Sequence, residues 1–258
     1  MVKNRFAGKV FVITGGAGGL GAAIALEAGL QGGAIAILDT NSDAIEALVL
    51  QLHSGGIKAE GRAVDVRDGS AVTQAIGELS DLLSGVDILI TAAGGSLGTP
   101  RDMDDISDED LDLVLDVNVK GTYYCAKAVI PHMKKKGGGS IITFSSIGGR
   151  SASPVTGVPY ATAKAAILGL TRRLAKEVGL DNIRVNAIAP GLFLTDRLTG
   201  MFENLSETER NEVLNGIPLG RMPELRECVD PVLFLASQES SYITGAVLDV
   251  NGGRFMPS

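Results

Sequence analysis

The feature that most limits the fold is a recurring order of short, continuously apolar runs and longer stretches with helical spacing. Lys9-Val10-Phe11-Val12-Ile13 is followed by a glycine-rich loop and then by Leu20 to Leu26, which has helical spacing. Ala34 to Leu38 is the second run and stops at Asp39; Ser42 to His53 predicts the next helix, with Ser42 available as its N-cap. The order then repeats. A strand over Lys58 to Val64 precedes a helix to about Leu83, and one over Val86 to Thr91 precedes a helix from Asp108 to about Lys135. A strand over Ser140 to Phe144 precedes a helix over Tyr160 to Val178, and strands at Ile183 to Ala187 and Ala246 to Val250 follow. Runs that are apolar throughout suit strands buried on both faces of a parallel sheet, whereas a half-wet sheet would alternate. The pattern therefore predicts an α/β fold, a Rossmann-type doubly wound parallel sheet with helices on both faces. No repeat, linker or low-complexity stretch divides it, so residues 1–258 are read as one domain.

Charge and cysteine usage narrow the partners. A formal net charge of -7 repels phosphate backbones, so nucleic acid is not expected as a partner. Cys125 and Cys228 lie far apart without ligand spacing, which predicts buried free thiols and no metal site. Residues 1–6 lack the features of a signal peptide, and no apolar stretch is long enough to span a bilayer. A cytoplasmic protein is the expectation.

The chain carries 34 glycines, about twice the usual share. Eight residues, Thr14-Gly15-Gly16-Ala17-Gly18-Gly19-Leu20-Gly21, fall between the first strand and the first helix. Backbone N–H groups and the positive end of a helix dipole can cradle a pyrophosphate there if no side chain blocks the approach. The same loop could be an ordinary tight turn. Asp39, 24 residues beyond Gly15 at the end of the second strand, supplies a carboxylate suited to an adenosine ribose diol and repulsive to a 2′-phosphate. Neither Gly16 nor Thr40 provides a cation for such a phosphate, so NAD is favoured over NADP. Asp39 could alternatively do no more than start the turn before Ser42. Farther on, Tyr160-Ala161-Thr162-Ala163-Lys164 places a phenol and an ammonium one helical turn apart on one face. A phenol with a pKa near ~10 is a poor base at neutral pH, and a neighbouring cation lowers it toward useful proton exchange.

Taken together, these motifs resemble those of the short-chain dehydrogenase/reductase family over nearly the whole chain. The family pattern TGxxxGxG matches Thr14, Gly15, Gly19 and Gly21, with Gly18 and Leu20 inside the same loop. YxxxK matches Tyr160 and Lys164; the serine at the end of the fifth strand matches Ser146, with Ser145 as a second claimant; and Asn118 falls on the family's helical asparagine. Pro190-Gly191-Leu192-Phe193-Leu194-Thr195 resembles the PGxxxT segment beside the nicotinamide. Asp65 and Val66 resemble the pair beside the adenine, and residues 241–245 and 251–253 the closing segment. Where the family usually has Asn-Asn-Ala-Gly, this chain has Thr91-Ala92-Ala93-Gly94, so Ala92 can offer the cofactor only backbone and a bracing side chain is missing.

The resemblance implies hydride transfer between NAD and a secondary alcohol or its ketone. Tyr160 would be the general acid/base, and Lys164 would lower its pKa and bind the nicotinamide ribose. Ser146 would orient the substrate oxygen, and Asn118 would hold a water relaying protons toward Lys164. The cofactor would be held by Gly15, Gly18, Gly19, Leu20, Gly21, Asp39, Asp65, Val66, Ala92, Gly94, Tyr160, Lys164, Pro190, Phe193 and Thr195. A helical lid at about 192–220, with Leu198, Met201, Phe202, Leu205, Val213, Leu214 and Ile217, would either line an apolar substrate pocket or pack onto the core. Ala161, Ala163, Ala165, Ala166 and Gly169 would allow close helix contact across a symmetric interface, and with the resemblance they predict a homotetramer. A catalytically idle NAD sensor on the same fold is the alternative. A nucleotide-sugar epimerase would need a larger C-terminal substrate region than this chain has.

Other conspicuous features read as structural. The acidic residues between Asp102 and Asp112 lack the pattern of a calcium loop and suit a helix N-terminus. Lys134 to Lys136 before Gly137 to Gly139 predict a basic helix end with a glycine stop. His53 and His132 read as surface residues.

Overall fold

A computed structural model describes residues 4–152, 155–194, 200, 202 and 204–257. Seven strands, β1 (Val10–Thr14), β2 (Ala34–Asp39), β3 (Ala59–Ala63), β4 (Ile88–Thr91), β5 (Gly139–Phe144), β6 (Ile183–Pro190) and β7 (Val247–Val250), form one parallel sheet in the order β3-β2-β1-β4-β5-β6-β7. The order reverses between β1 and β4, so their C-terminal ends leave a crevice there.

Successive side chains of a strand face opposite sides of the sheet, and the core divides accordingly. Phe11, Ile13, Ile35 and Ile37 meet α1 (Gly19–Leu30), α2 (Ser42–Ser54) and the last helix, while Val10, Val12, Ala36 and Leu38 meet α3 (Gly69–Leu83), α5 (Gly121–Lys135) and α6 (Val158–Val178). Both faces are thus covered, as continuous apolar runs require. Full burial of each such Ile or Phe is worth about 1.5–3 kcal/mol. Cys125 and Cys228 are buried free thiols, and burial pushes both up to about 12, far from the reactive thiolate.

Several sequence expectations need correction. The helix expected from Asp108 to Lys135 is interrupted: α4 (Asp108–Leu115) passes into a π-helical turn, Asp116–Lys120, before α5 begins. Amphipathic spacing runs smoothly through that turn, so one extra residue per turn leaves no compositional mark. The N-cap of α2 is Asn41, whose side chain accepts from the Ala44 N–H, and Ser42 is already helical. Gly137 and Gly138 stop α5 with φ of 81° and 146°, but Gly139 belongs to β5. His132 is half-buried, its Nδ1 2.9 Å from the Ser80 Oγ, and desolvation lowers its pKa; His53 is exposed.

Among the described residues, two α-helices of eight residues or more follow β6. α7 (Glu207–Asn215) opens with a capping box between Ser206 and Glu209. α8 (Arg226–Ala236) contains Pro231, which sequence rules read as a breaker, yet it buries Cys228, Val229, Val232, Leu233 and Leu235 against β-sheet and α1 residues. Burial of that apolar face outweighs the one lost backbone bond. Among the described residues, no helix is long and apolar enough to cross a membrane, and no group of His, Cys, Asp and Glu could hold a metal ion.

Candidate active site

A cleft of about 710 Å3 runs across the C-terminal ends of the strands. At one end lies the glycine loop. Gly15 has φ +60°, and a Cβ on it would come within 2.7 Å of the Ala93 backbone; a Cβ on Gly21 would strike the Gly15 carbonyl oxygen. At Gly18 nothing lies within 4 Å, so that glycine leaves open space in front of α1. Gly18 is also the N-cap of α1 and makes no side-chain cap bond, and the first turn holds no acidic residue. The helix start thus presents uncapped N–H donors and a positive dipole end to the cleft, a setting suited to a phosphate group.

The Asp39 carboxylate, on the cleft wall, accepts from the Ala17 N–H at 3.1 Å and from the Thr40 and Asn41 N–H groups at 2.8 and 3.2 Å. It fastens the glycine loop to β2 and also forms the turn before α2, so the turn reading and the ribose reading are compatible. Thr14 Oγ1 accepts from the Ala93 N–H at 3.3 Å and links β1 to the segment after β4, where Ala92 offers no side-chain bond. Asp65 and Val66 line the same end of the cleft. Arg67 joins them there, a residue the sequence reading missed; its guanidinium grips Asp65 through contacts as short as 2.6 Å and holds that carboxyl below its ordinary pKa.

At the other end β5 and α6 bring Ser146, Tyr160 and Lys164 together. The two serines differ in their bonding. Ser145 Oγ donates to the Lys164 carbonyl at 2.7 Å, tying α6 to the end of β5. Ser146 Oγ accepts from the Gly148 N–H at 3.1 Å, which leaves its own O–H available in the cleft. Lys164 is buried; its Nζ donates to the Phe144 carbonyl at 2.9 Å and stands 5.6 Å from the Tyr160 ring centre. Lysine and tyrosine are therefore presented on one face, as the four-residue spacing requires.

Asn118 sits in the π turn behind this group. Its Nδ2 donates to the Gly95 and Val114 carbonyls at 3.0 and 2.9 Å, and its Oδ1 accepts from the Gly95 N–H at 3.0 Å. A Cβ on Gly94 would collide with Asn118 Oδ1 and lie 3.3 Å from Lys164 Nζ. The missing side chain of Gly94 thus lets Asn118 and Lys164 pack directly against the backbone after β4.

Gly15, Gly18, Gly19, Leu20, Gly21, Asp39, Asp65, Val66, Ala92, Gly94, Ser146, Tyr160, Lys164, Pro190 and Phe193 all line one cleft, and Asn118 adjoins it. Thr195, Leu198 and Met201 lie outside the described residues. Of the lid residues, Leu205 and Val213 pack with Val155, Leu192 and Phe202, while Ile217 lines a separate cavity described below.

A family model described as enoyl-(acyl carrier protein) reductase matches residues 15–254. A short-chain type dehydrogenase/reductase of Sinorhizobium fredii is 40% identical over 256 residues, covering 96% of this chain and 98% of its own. The 3-oxoacyl-[acyl-carrier-protein] reductase of Thermotoga maritima is 36% identical over 251 residues, covering 96% and 98%. Among solved structures, an NAD+-bound xylitol dehydrogenase superposes with a TM-score of 0.90 at 30% identity, covering 96% of this chain and 99% of that one. With these full-length relatives, the strand order and the ordered motifs agree, and the chain belongs to the short-chain dehydrogenase/reductase family of oxidoreductases.

Proposed function

We propose that the chain is an NAD-dependent enzyme that moves a hydride between a secondary alcohol, or its ketone, and the cofactor. The observation that carries this reading is the convergence of Ser146, Tyr160 and Lys164 on the cleft whose far end holds the glycine loop and Asp39. Bound there, NAD supplies the hydride acceptor for alcohol oxidation and, as NADH, the donor for ketone reduction. The uncapped start of α1 would hold its pyrophosphate and Asp39 its adenosine ribose, with Pro190, Phe193 and Thr195 beside the nicotinamide. The available Ser146 O–H donates to the substrate oxygen and orients it. Tyr160 takes the proton from that oxygen during oxidation and returns it during reduction, and the Lys164 ammonium favours the tyrosinate. Asn118 would hold a water that passes protons between Lys164 and solvent. Relatives named as acting on a sugar alcohol, a hydroxysteroid and a 3-oxoacyl thioester all interconvert an alcohol and a carbonyl, in keeping with this chemistry.

The whole chain would act as one cofactor-binding domain with a substrate lid at about 192–220, in the cytoplasm. On α6, Thr162, Ala165, Ala166 and Gly169 are exposed at helical spacing, whereas Ala163 is buried toward the core. That small-residue face supports assembly into a homotetramer. Incubation with NAD and a panel of secondary alcohols should produce NADH, and Tyr160→Phe should lower the rate by about 10²–10⁴-fold while a cofactor titration still saturates. Turnover that survives Tyr160→Phe overturns the assigned acid/base, and a preference for NADP overturns the reading of Asp39.

A further inference from the structure

A second cavity, of about 500 Å3, opens beside the reaction cleft, and Gly191 and Phe193 belong to the walls of both. It is closed by the residues after β7. Asn251 is buried and organises them: its Oδ1 accepts from the Gly253 and Phe255 N–H groups at 3.0 and 3.3 Å, and its Nδ2 donates to the Phe255 carbonyl at 3.1 Å. Leu192, Ile217, Leu219 and Phe255 make much of the lining apolar. A volume of this order suits a small ligand with an apolar body and a few polar contacts.

The charged side chains around this cavity pair off with one exception. Arg221 and Glu227 form a two-pronged pair at 2.6 and 2.7 Å. Asp249 lies 3.3 Å from the Arg150 guanidinium, an ion pair without a hydrogen bond to its Oδ1, and that guanidinium lies 5.1 Å from the Phe255 ring centre. Arg254 is left. Its guanidinium has no hydrogen-bond or ion-pair partner among the described residues, although it is half-buried, and a Cβ on Gly216 would be 3.4 Å from its Nε. A guanidinium drawn partly out of water without a counter-ion is costly, and its planar fork matches a carboxylate.

We propose that this cavity is the distal part of the substrate site, and that it takes an apolar chain ending in a carboxylate, with Arg254 as the counter-ion. The substrate class is then hydroxy or keto acids whose reacting carbon is separated from the acid group by an apolar spacer. The assignment of these acids as substrates rests on the alcohol/ketone reading above, whereas occupancy of the cavity by a carboxylate does not.

The test uses the full chain and two probes of equal size, octanoate and octanamide, in titration calorimetry. Octanoate should bind the intact protein about tenfold or more tightly than octanamide, a difference that high salt reduces. Arg254→Leu should bring the two together, and Arg254→Lys should restore part of the difference. Octanoate should bind Tyr160→Phe as it binds the parent, which separates failure of the cavity from failure of the chemistry. Equal binding of the two probes to the parent protein overturns the proposal, even if no variant folds. A kinetic arm compares medium-chain carboxylates hydroxylated on the penultimate carbon with the matching secondary alkanols. The acids should show the lower KM, and Arg254→Leu should abolish that advantage. Equal KM values for acid and alkanol overturn the substrate assignment.

Discussion

The glycine-loop end of the cleft and the region beside the second cavity are built by different means. Around β1, β2 and the glycine loop, geometry is set by backbone packed against backbone, with Gly15 over Ala93 and Gly21 over Gly15, and side chains contribute mainly as ties such as Asp39 to the Ala17 N–H. Around β6, β7 and the last residues, geometry is set by side chains and long connections: Asn251 folds the chain after β7, and Leu205, Val213 and Phe202 pack with Leu192 and Val155. The first arrangement admits few substitutions and suits a cofactor that never changes. The second can be re-lined without disturbing the sheet, which suits a site that must fit one substrate among many.

The largest expected break in that contrast comes from the backbone end. Gly21→Ala should destabilise the protein by about 3 kcal/mol and abolish cofactor binding, because the new methyl meets the Gly15 carbonyl. Gly18→Ala, three residues away and facing open space, should fold normally. Thermal unfolding with a cofactor titration on the pair checks this, and equal behaviour of the two variants would sink the backbone account. Asn118→Ala should cost about 2–4 kcal/mol, since it strands the Gly95 N–H and two carbonyls in the interior. Denaturant unfolding measures it, and a change within error would show that the loop after β4 holds without the asparagine. Beside the second cavity, the exposed Arg221–Glu227 pair should matter least. Arg221 and the Glu224 N–H hold the Glu227 carboxyl down to about 2. Its contribution is therefore present above the ordinary carboxylate range and lost as pH falls from there toward 2. Arg221→Ala should return Glu227 toward its ordinary titration, read by carbon NMR, with only a small loss of stability at neutral pH.

How much was legible in the sequence follows the same division. The apolar runs placed the inner strands β1, β2, β4, β5 and β6, because burial on two sides leaves little choice of composition, whereas the edge strand β3, Ala-Glu-Gly-Arg-Ala, followed from its place in the alternation. That Gly15, Gly19, Gly21, Asp39, Tyr160 and Lys164 would share one cleft was legible because their spacing is fixed by a turn or by one turn of helix. Arg67 was missed because an exposed arginine after a strand looks like any solvated residue until the Asp65 partner is seen across two positions. The different bonding of Ser145 and Ser146 also needed coordinates, since only they show the first hydroxyl tied to the Lys164 carbonyl. α8 went unread, and the cavity at the chain's last residues depends on long-range closure that no local pattern encodes.

The π turn at Asp116–Lys120 carries a consequence for how this chain can vary in length. It holds one residue more than an α-helical turn would, and Asn118 bonds Gly95 from within it. Deleting any one residue there would restore a regular helix and turn everything after it by about 100° against α4. Asn118 would swing away from Gly95, or α5 would swing away from the sheet. A gap of one residue there would thus displace Asn118 as surely as replacing it, so the length of this segment is itself a structural requirement.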